Sequence, residues 1–189
     1  MKKIAESIDK HTGNSLELRV LHELGQTTDG YLNPKKVGEL WDEFQKHDVL
    51  FTEHTAGRFE PFFYILINPG STWLEIYDTT DDKPLGVIMA TKIIHGYDSE
   101  CHFAVWNGKA RGKEELFRES MKWIFDQYEL RRLSAHVIGF QRGVIRFVER
   151  MGFTHEGEKR EAVMKDDKWF GLVLYGLTLG EFESTIGDA

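Results

Sequence analysis

At 189 residues and 41% hydrophobic composition, the chain is long enough for one well-covered core and too short for two ordinary domains. Thirty-one acidic against 24 basic residues give a formal charge of -7, which excludes a surface that holds nucleic acid chiefly by its phosphates. Lys109 through Lys113 and Arg131-Arg132 are the places where a local basic stripe could form.

The N-terminus, Met1-Lys2-Lys3-Ile4, runs into Glu6, Asp9 and Lys10 with no apolar stretch and has no secretory pattern. Within 1–30, Leu16, Leu18 and Val20 alternate with polar residues between turn signals, which predicts a half-buried strand in an N-terminal extension. Asn33-Pro34 is a helix start, and Val37, Leu40, Trp41 and Phe44 recur at helical spacing to about His47. From Pro61 onward, runs at 62–68, 73–78, 85–94 and 100–106 are punctuated by Pro69-Gly70, Asp81 to Pro84 and Gly96, which predicts an antiparallel meander. The longest apolar run, 62–67, is far below membrane-spanning length. Cys101 is the only cysteine, so neither an internal disulfide nor a multi-thiolate metal site can form; a reducing, cytoplasmic setting without membrane contact is expected.

After Asn107-Gly108, the residues Phe117, Met121, Ile124 and Tyr128 share one face of a helix over about 112–130. A strand at 133–138 follows, then a short helix carrying Val144, Ile145, Val148 and Met151 that Gly152 ends. The segments 153–164 and 169–179 form a closing hairpin across Lys165 to Lys168. Such an order requires an α/β fold: one mixed, mostly antiparallel sheet with helices on both faces. The composition leaves 181–189 open between a mobile tail and a docked one. The hairpin strands offer an edge to a second copy, a route to a homo-oligomer or larger assembly.

The segment Lys109-Ala110-Arg111-Gly112-Lys113-Glu114-Glu115 lies between a strand and a long helix, where free backbone N–H groups and the helix dipole favour an anion. Arg111 and Lys113 would suit a pyrophosphate, and Gly112 would let the backbone approach it. Taken alone, the segment equally fits an ordinary polar loop whose Glu114 and Glu115 satisfy the dipole. Of the eight histidines, His22, His47, His54, His95, His136 and His155 show no metal-ligand spacing with each other or with Cys101, so no metal is expected. Ser134 and Ser184 have no base nearby in sequence, and no nucleophilic triad is arguable.

The stretches "FAVWNGKARGKEELFRESMKWIF", "RLSAHVIGFQRGVIRFVERMGFTHEGEKRE" and "DDKWFGLVLYGLTLGEF" resemble the GNAT superfamily, most closely its branch of ribosomal-protein N-terminal acetyltransferases. The resemblance covers about 85–182 of a single domain spanning 1–189, with the first third matching in element order only. It implies the acyl-CoA N-acyltransferase fold, acetyl-CoA as co-substrate and an amine acceptor, either protein or small molecule. It also implies that "KARGKE" cradles the pyrophosphate and that the sheet splays after Val105, where the backbone of Val105 and Trp106 would pair with the pantetheine amides. The chain departs from the family pattern at four places. Glu114 stands where the loop usually has glycine or alanine, and Gln141 where an asparagine contacts the cofactor. Val148 replaces a tyrosine acid and Val144 a serine.

Along the last meander strand, Asp98, Glu100, His102, Ala104 and Trp106 point to one face, and Cys101, Phe103 and Val105 to the other. A lysine amine (pKa about 10.4) is almost wholly protonated at neutral pH. Glu100 or His102 is therefore the candidate base, a peptide N–H near Val105 the candidate oxyanion donor, and Tyr175 the candidate acid for the leaving thiolate. Without the family resemblance, the polar face is equally that of a solvated sheet. The expected activity is N-acetyl transfer by direct attack on acetyl-CoA. The alternatives are a GNAT-fold protein that has lost catalysis and serves in an assembly such as a virus particle, or an acyl-CoA-binding sensor. An open splay, rather than one plugged by Trp106 or Phe140, favours the enzyme.

Overall fold

Alternation of apolar side chains along the central strands supplies two apolar faces, and the helices divide between them. The computed structural model describes residues 3–8, 15–22, 34–47, 57–110 and 113–187. Its elements are β1 (Lys3–Ile8), β2 (Ser15–His22), α1 (Pro34–Gln45), α2 (Phe59–Ile67), β3 (Thr72–Asp78), β4 (Lys83–Ile94), β5 (Asp98–Val105), α3 (Glu114–Tyr128), β6 (Arg132–Ile138), α4 (Arg142–Arg150), β7 (Thr154–Lys165), β8 (Lys168–Thr178) and α5 (Leu179–Gly187). The eight strands form one sheet in the order β1-β2-β3-β4-β5-β6-β8-β7. Every neighbouring pair is antiparallel except β5 with β6.

On one face, Leu74, Ile76 and Ile88 pack with Phe117, Met121, Ile124 and Phe125 of α3, with Val148 of α4 and with Phe182 of α5. On the other, Trp73, Val87, Met89 and Ala104 meet Val37, Leu40 and Phe44 of α1 and Phe62 and Leu66 of α2. The buried carboxylate of Glu75 accepts a 2.9 Å hydrogen bond from Lys36, which ties α1 to the second face. Burial pushes the Glu75 carboxyl up, against the pull of Lys36.

The expected strand at 62–68 is instead α2. An apolar run without a polar partner has no periodicity of its own. Here Phe62 and Leu66, four apart, are buried on one side. Pro61 sits in the first turn, where a missing N–H breaks no helical bond. The meander therefore has three strands, β3 to β5. Residues 1–30 contribute β1 as well as the expected strand. The terminal segment docks as α5, with Phe182 1% exposed and its ring stacked on Phe125 at 5.2 Å. Among the described residues, no helix is long and apolar enough to cross a membrane.

Candidate active site

The one parallel junction of the sheet is incomplete. Strands β5 and β6 pair at only three positions, Asp98↔Arg132, Ser99↔Leu133 and Glu100↔Ser134. Beyond them β5 stays on β4 as far as Gly86↔Val105, and β6 stays on β8 as far as Ile138↔Leu172. The two strands are thus held apart by their outer neighbours. The divergence begins after Glu100, earlier than the position after Val105 that the resemblance implies.

The antiparallel pattern on the β4 side decides which backbone groups face the gap. Trp106 N–H donates to Leu85 O at 3.1 Å, so residue 106 turns its peptide groups toward β4. Because bonding direction alternates along a strand, Phe103 and Val105 turn theirs toward the opening. Trp106, expected to pair with the cofactor as well, has its backbone donor engaged with β4. Its indole N–H donates to Pro84 O at 3.0 Å, and its ring stacks on His47. Phe140 packs against Phe170 at 4.7 Å. Neither side chain plugs the opening.

A cavity lies on each face. That on the α1/α2 side, about 550 Å³, is walled by Phe44, Phe62, Trp73 and Met89 and carries Thr91, Lys92, Glu100, His102 and His136. The cavity on the α3/α4 side, about 480 Å³, is lined by Val105, Ala110, Phe117, Val144, Phe147 and Val148, with Arg150 at its edge. Both are bordered by His102, Phe103, His136 and Gln141. The two spaces therefore meet through the sheet at the opening.

His102 and His136 each lie two residues past the last paired position, Glu100↔Ser134, so they follow it on the same face. Nδ1 of His136 is 3.9 Å from Oε1 of Glu100, and Nε2 of His102 is 3.7 Å from Oε2. The same His102 nitrogen is 3.0 Å from the Thr91 hydroxyl. A bulge in β4 puts Lys92 at φ 52°, and its ammonium donates to Glu100 Oε1 at 2.7 Å. Burial would push the Glu100 carboxyl up. The Lys92 hydrogen bond, with the charges of Lys92, His136 and His102, outweighs it and holds the carboxyl below its usual value. His102 is pushed down by burial, against the pull of Glu100, although 37% of its side chain remains accessible beside the cavities. A neutral imidazole next to a carboxylate is able to accept a proton at neutral pH. Cys101 points to the other face, and burial pushes its thiol up to about 12, which removes it as a nucleophile.

Of the loop expected to bind pyrophosphate, Lys109, Ala110, Lys113, Glu114 and Glu115 are described. Arg111 and Gly112 lie outside the described residues. The Lys109 ammonium bonds Asp81 at 2.5 Å and Asp78 at 3.1 Å, on the β3–β4 turn, and is thereby drawn away from the α3 N-terminus. Ala110 is buried against the α3/α4 cavity, Lys113 precedes the first turn of α3, and Glu115 is exposed. Glu114 accepts a 2.9 Å bond from Arg150 Nε rather than pairing with Lys113 or Arg118. Arg118 donates instead to Thr185 Oγ1 and Arg150 O. Tyr175 lines neither cavity; its hydroxyl donates to Glu149 at 3.0 Å, and burial, then that bond, raises its pKa.

The structure thus brings Glu100, His102, Val105, Ala110 and Gln141 to one passage and leaves Lys109 and Tyr175 outside it. Sequence reasoning missed His136 as a site residue. Its alternation with Ser134 on a predicted strand was the available signal, but the identity of the facing strand was not. Among the described residues, no group of three or more metal-ligating side chains is assembled.

No family model matches this sequence, and no curated protein matches it. Solved structures do. A spermidine N-acetyltransferase from Vibrio cholerae, in complex with CoA and spermine, superposes with a TM-score of 0.69 at 14% identity over 89% of this chain and 98% of that one. A spermidine/spermine N-acetyltransferase from the same organism, in complex with manganese ions, gives 0.66 at 13% identity over 90% and 96%. At such identity the likeness establishes the fold, which is the GNAT fold.

Proposed function

We propose that the chain is an N-acetyltransferase that moves an acetyl group from acetyl-CoA to an amine by direct attack, with no covalent enzyme intermediate. One observation carries this reading: two cavities on opposite faces of the sheet meet where β5 and β6 part, with unpaired backbone on one side of the junction and titratable side chains on the other. The structural likeness to solved structures of an amine acetyltransferase supports the same reaction class. The finer assignment to the ribosomal-protein branch has no such support.

On this reading the α3/α4 cavity holds the pantetheine arm, paired to the free edge of β5 at Phe103 and Val105 as an added strand would be. Acetyl-CoA supplies an activated acyl group. Ala110 and Gln141 border its path, and the described part of the loop, Lys113 with the first amides of α3, faces the phosphates. Arg150 is placed to join them on leaving Glu114. The acceptor enters from the α1/α2 cavity. Glu100, ionised, and His102, neutral, take the proton that the amine must lose, directly or through a water, and His136 completes the polar ring. The N–H of Phe103 or Val105 stabilises the oxygen that gains charge. An alkyl thiolate is a far better leaving group than the amine and can take its proton from water, so the valines at 144 and 148 do not bar the reaction. Tyr175, committed to Glu149, positions α4 rather than moving a proton.

The alternative of a catalytically silent assembly component predicted a filled opening, and the positions of Trp106 and Phe140 weigh against it. The direct test is release of CoA thiol from acetyl-CoA in the presence of a panel of amines. Amine-dependent release is expected. Acetyl-CoA binding without release for any amine would turn the reading toward a sensor.

A further inference from the structure

The acceptor cavity differs in chemistry from what a polycation needs. Its wall is built from the apolar side chains of Phe44, Phe62, Trp73 and Met89. The rings pack edge against face: Phe44 on Phe62 at 5.3 Å and 55°, Phe62 on Trp73 at 6.2 Å and 82°. Each ring covers a neighbour, so they form a closed apolar wall rather than an open cage for a cation. Among the described residues of the lining, Glu100 is the only carboxylate, and Lys92 already neutralises it at 2.7 Å. A second or third ammonium drawn into this space would be desolvated with no further carboxylate among the described lining residues to meet it. A single amine is different: it reaches Glu100, His102 and His136 at the opening, gives up its proton there, and leaves an uncharged body against the aromatic wall.

Resting on the acetyltransferase reading, we infer that the acceptor is a monoamine borne on an apolar body about the size of an aromatic side chain, and not a polyamine. The cavity volume of about 550 Å³ suits such a ligand, within the roughly 300–1,000 Å³ typical of small-molecule sites. A free aryl-alkylamine and the N-terminus of a peptide beginning with an aromatic residue both present this chemistry.

The test is calorimetric titration of the full chain, with and without CoA, using 2-phenylethylamine, phenylalanyl-alanine amide and spermidine as probes at 0.15 M salt. At least one aromatic amine is expected to bind tenfold or more tightly than spermidine, and which of the two does so distinguishes a free amine from a peptide terminus. Ile65, on α2, lines the cavity yet is 46% exposed, so Ile65→Glu adds a carboxylate there without burying it. That variant should narrow the gap several-fold by strengthening spermidine binding. Spermidine binding as tightly as the aromatic amines, or no binding of either aromatic amine, overturns the inference. Thermal unfolding with acetyl-CoA separates the two levels. A shift with acetyl-CoA alongside a preference for spermidine removes the acceptor class and leaves the acetyltransferase reading. Aromatic amine binding with no acetyl-CoA shift removes that reading and leaves the pocket chemistry.

Discussion

The two sides of the opening between β5 and β6 are built from alternate residues of the same strands, yet they have little chemistry in common. Toward α1 and α2 stand Glu100, His102 and His136, within 4 Å of one another through Glu100. Toward α3 and α4 stand Val105, Val144, Phe147 and Val148, and the one titratable group of β5 on that side, Cys101, is held as a thiol. The difference teaches that a two-residue period suffices to separate a proton-transfer surface from an apolar channel, provided that a neighbouring strand stops pairing at the right place. Variants that touch one side only should therefore separate turnover from acetyl-CoA binding.

The largest separation is expected from Glu100→Gln combined with His102→Asn. Turnover should fall by about a hundredfold or more, the contribution typical of a positioned base, with acetyl-CoA affinity within about twofold of the parent. Equal losses in both would mean that the two faces are not independent. The reverse separation is expected from Gly143→Trp. This glycine borders the α3/α4 cavity, and a Cβ on it meets nothing within 4 Å, so the indole can occupy the channel without disturbing the fold. CoA affinity should drop about tenfold or more while aromatic amines still bind in calorimetry; unchanged CoA affinity would move the cofactor out of this channel.

A smaller effect concerns pH. Because burial lowers the pKa of His102, its neutral form persists below the ordinary histidine value of 6.5. The acid limb of kcat/KM assigned to this base should lie below pH 6.5 and disappear in His102→Asn; a limb above 6.5 would contradict the neutral-base assignment. The same sign holds for stability: a folded-state pKa below the unfolded one contributes stability above about pH 6.5 that is lost as the pH falls through the folded value. The smallest effect on binding belongs to Lys109→Met. Since its ammonium ties Asp78 and Asp81 rather than the α3 N-terminus, the melting temperature should fall while acetyl-CoA affinity stays within about twofold. A tenfold loss of affinity would restore Lys109 to the phosphate loop.

Sequence patterns carried most of the fold and half of the site. The faces of β5 were legible because Glu100, His102 and Ala104 alternate with Cys101, Phe103 and Val105, and a period of two has one structural meaning. The segment 62–67 was not legible, because six apolar residues in a row satisfy strand and helix equally and only contact with α1 and Trp73 decides. His136 escaped for another reason. Its place beside Glu100 depends on β5 and β6 being neighbours and on their pairing ending at Glu100↔Ser134, and neither fact is local. Lys109 and Glu114 show the limit of reading charge along a loop: Asp81 and Arg150, 28 and 36 residues away, take them as partners.

The central claim is that the gap in the sheet is a seat for acetyl-CoA. It is tested most directly by thermal unfolding of the chain with and without millimolar acetyl-CoA. Ligand at about a hundredfold over its dissociation constant should stabilise the native state by roughly 2.7 kcal/mol and raise the melting temperature by several degrees, an effect that Gly143→Trp should cut by about half or more. A melting temperature unmoved by acetyl-CoA would contradict the account.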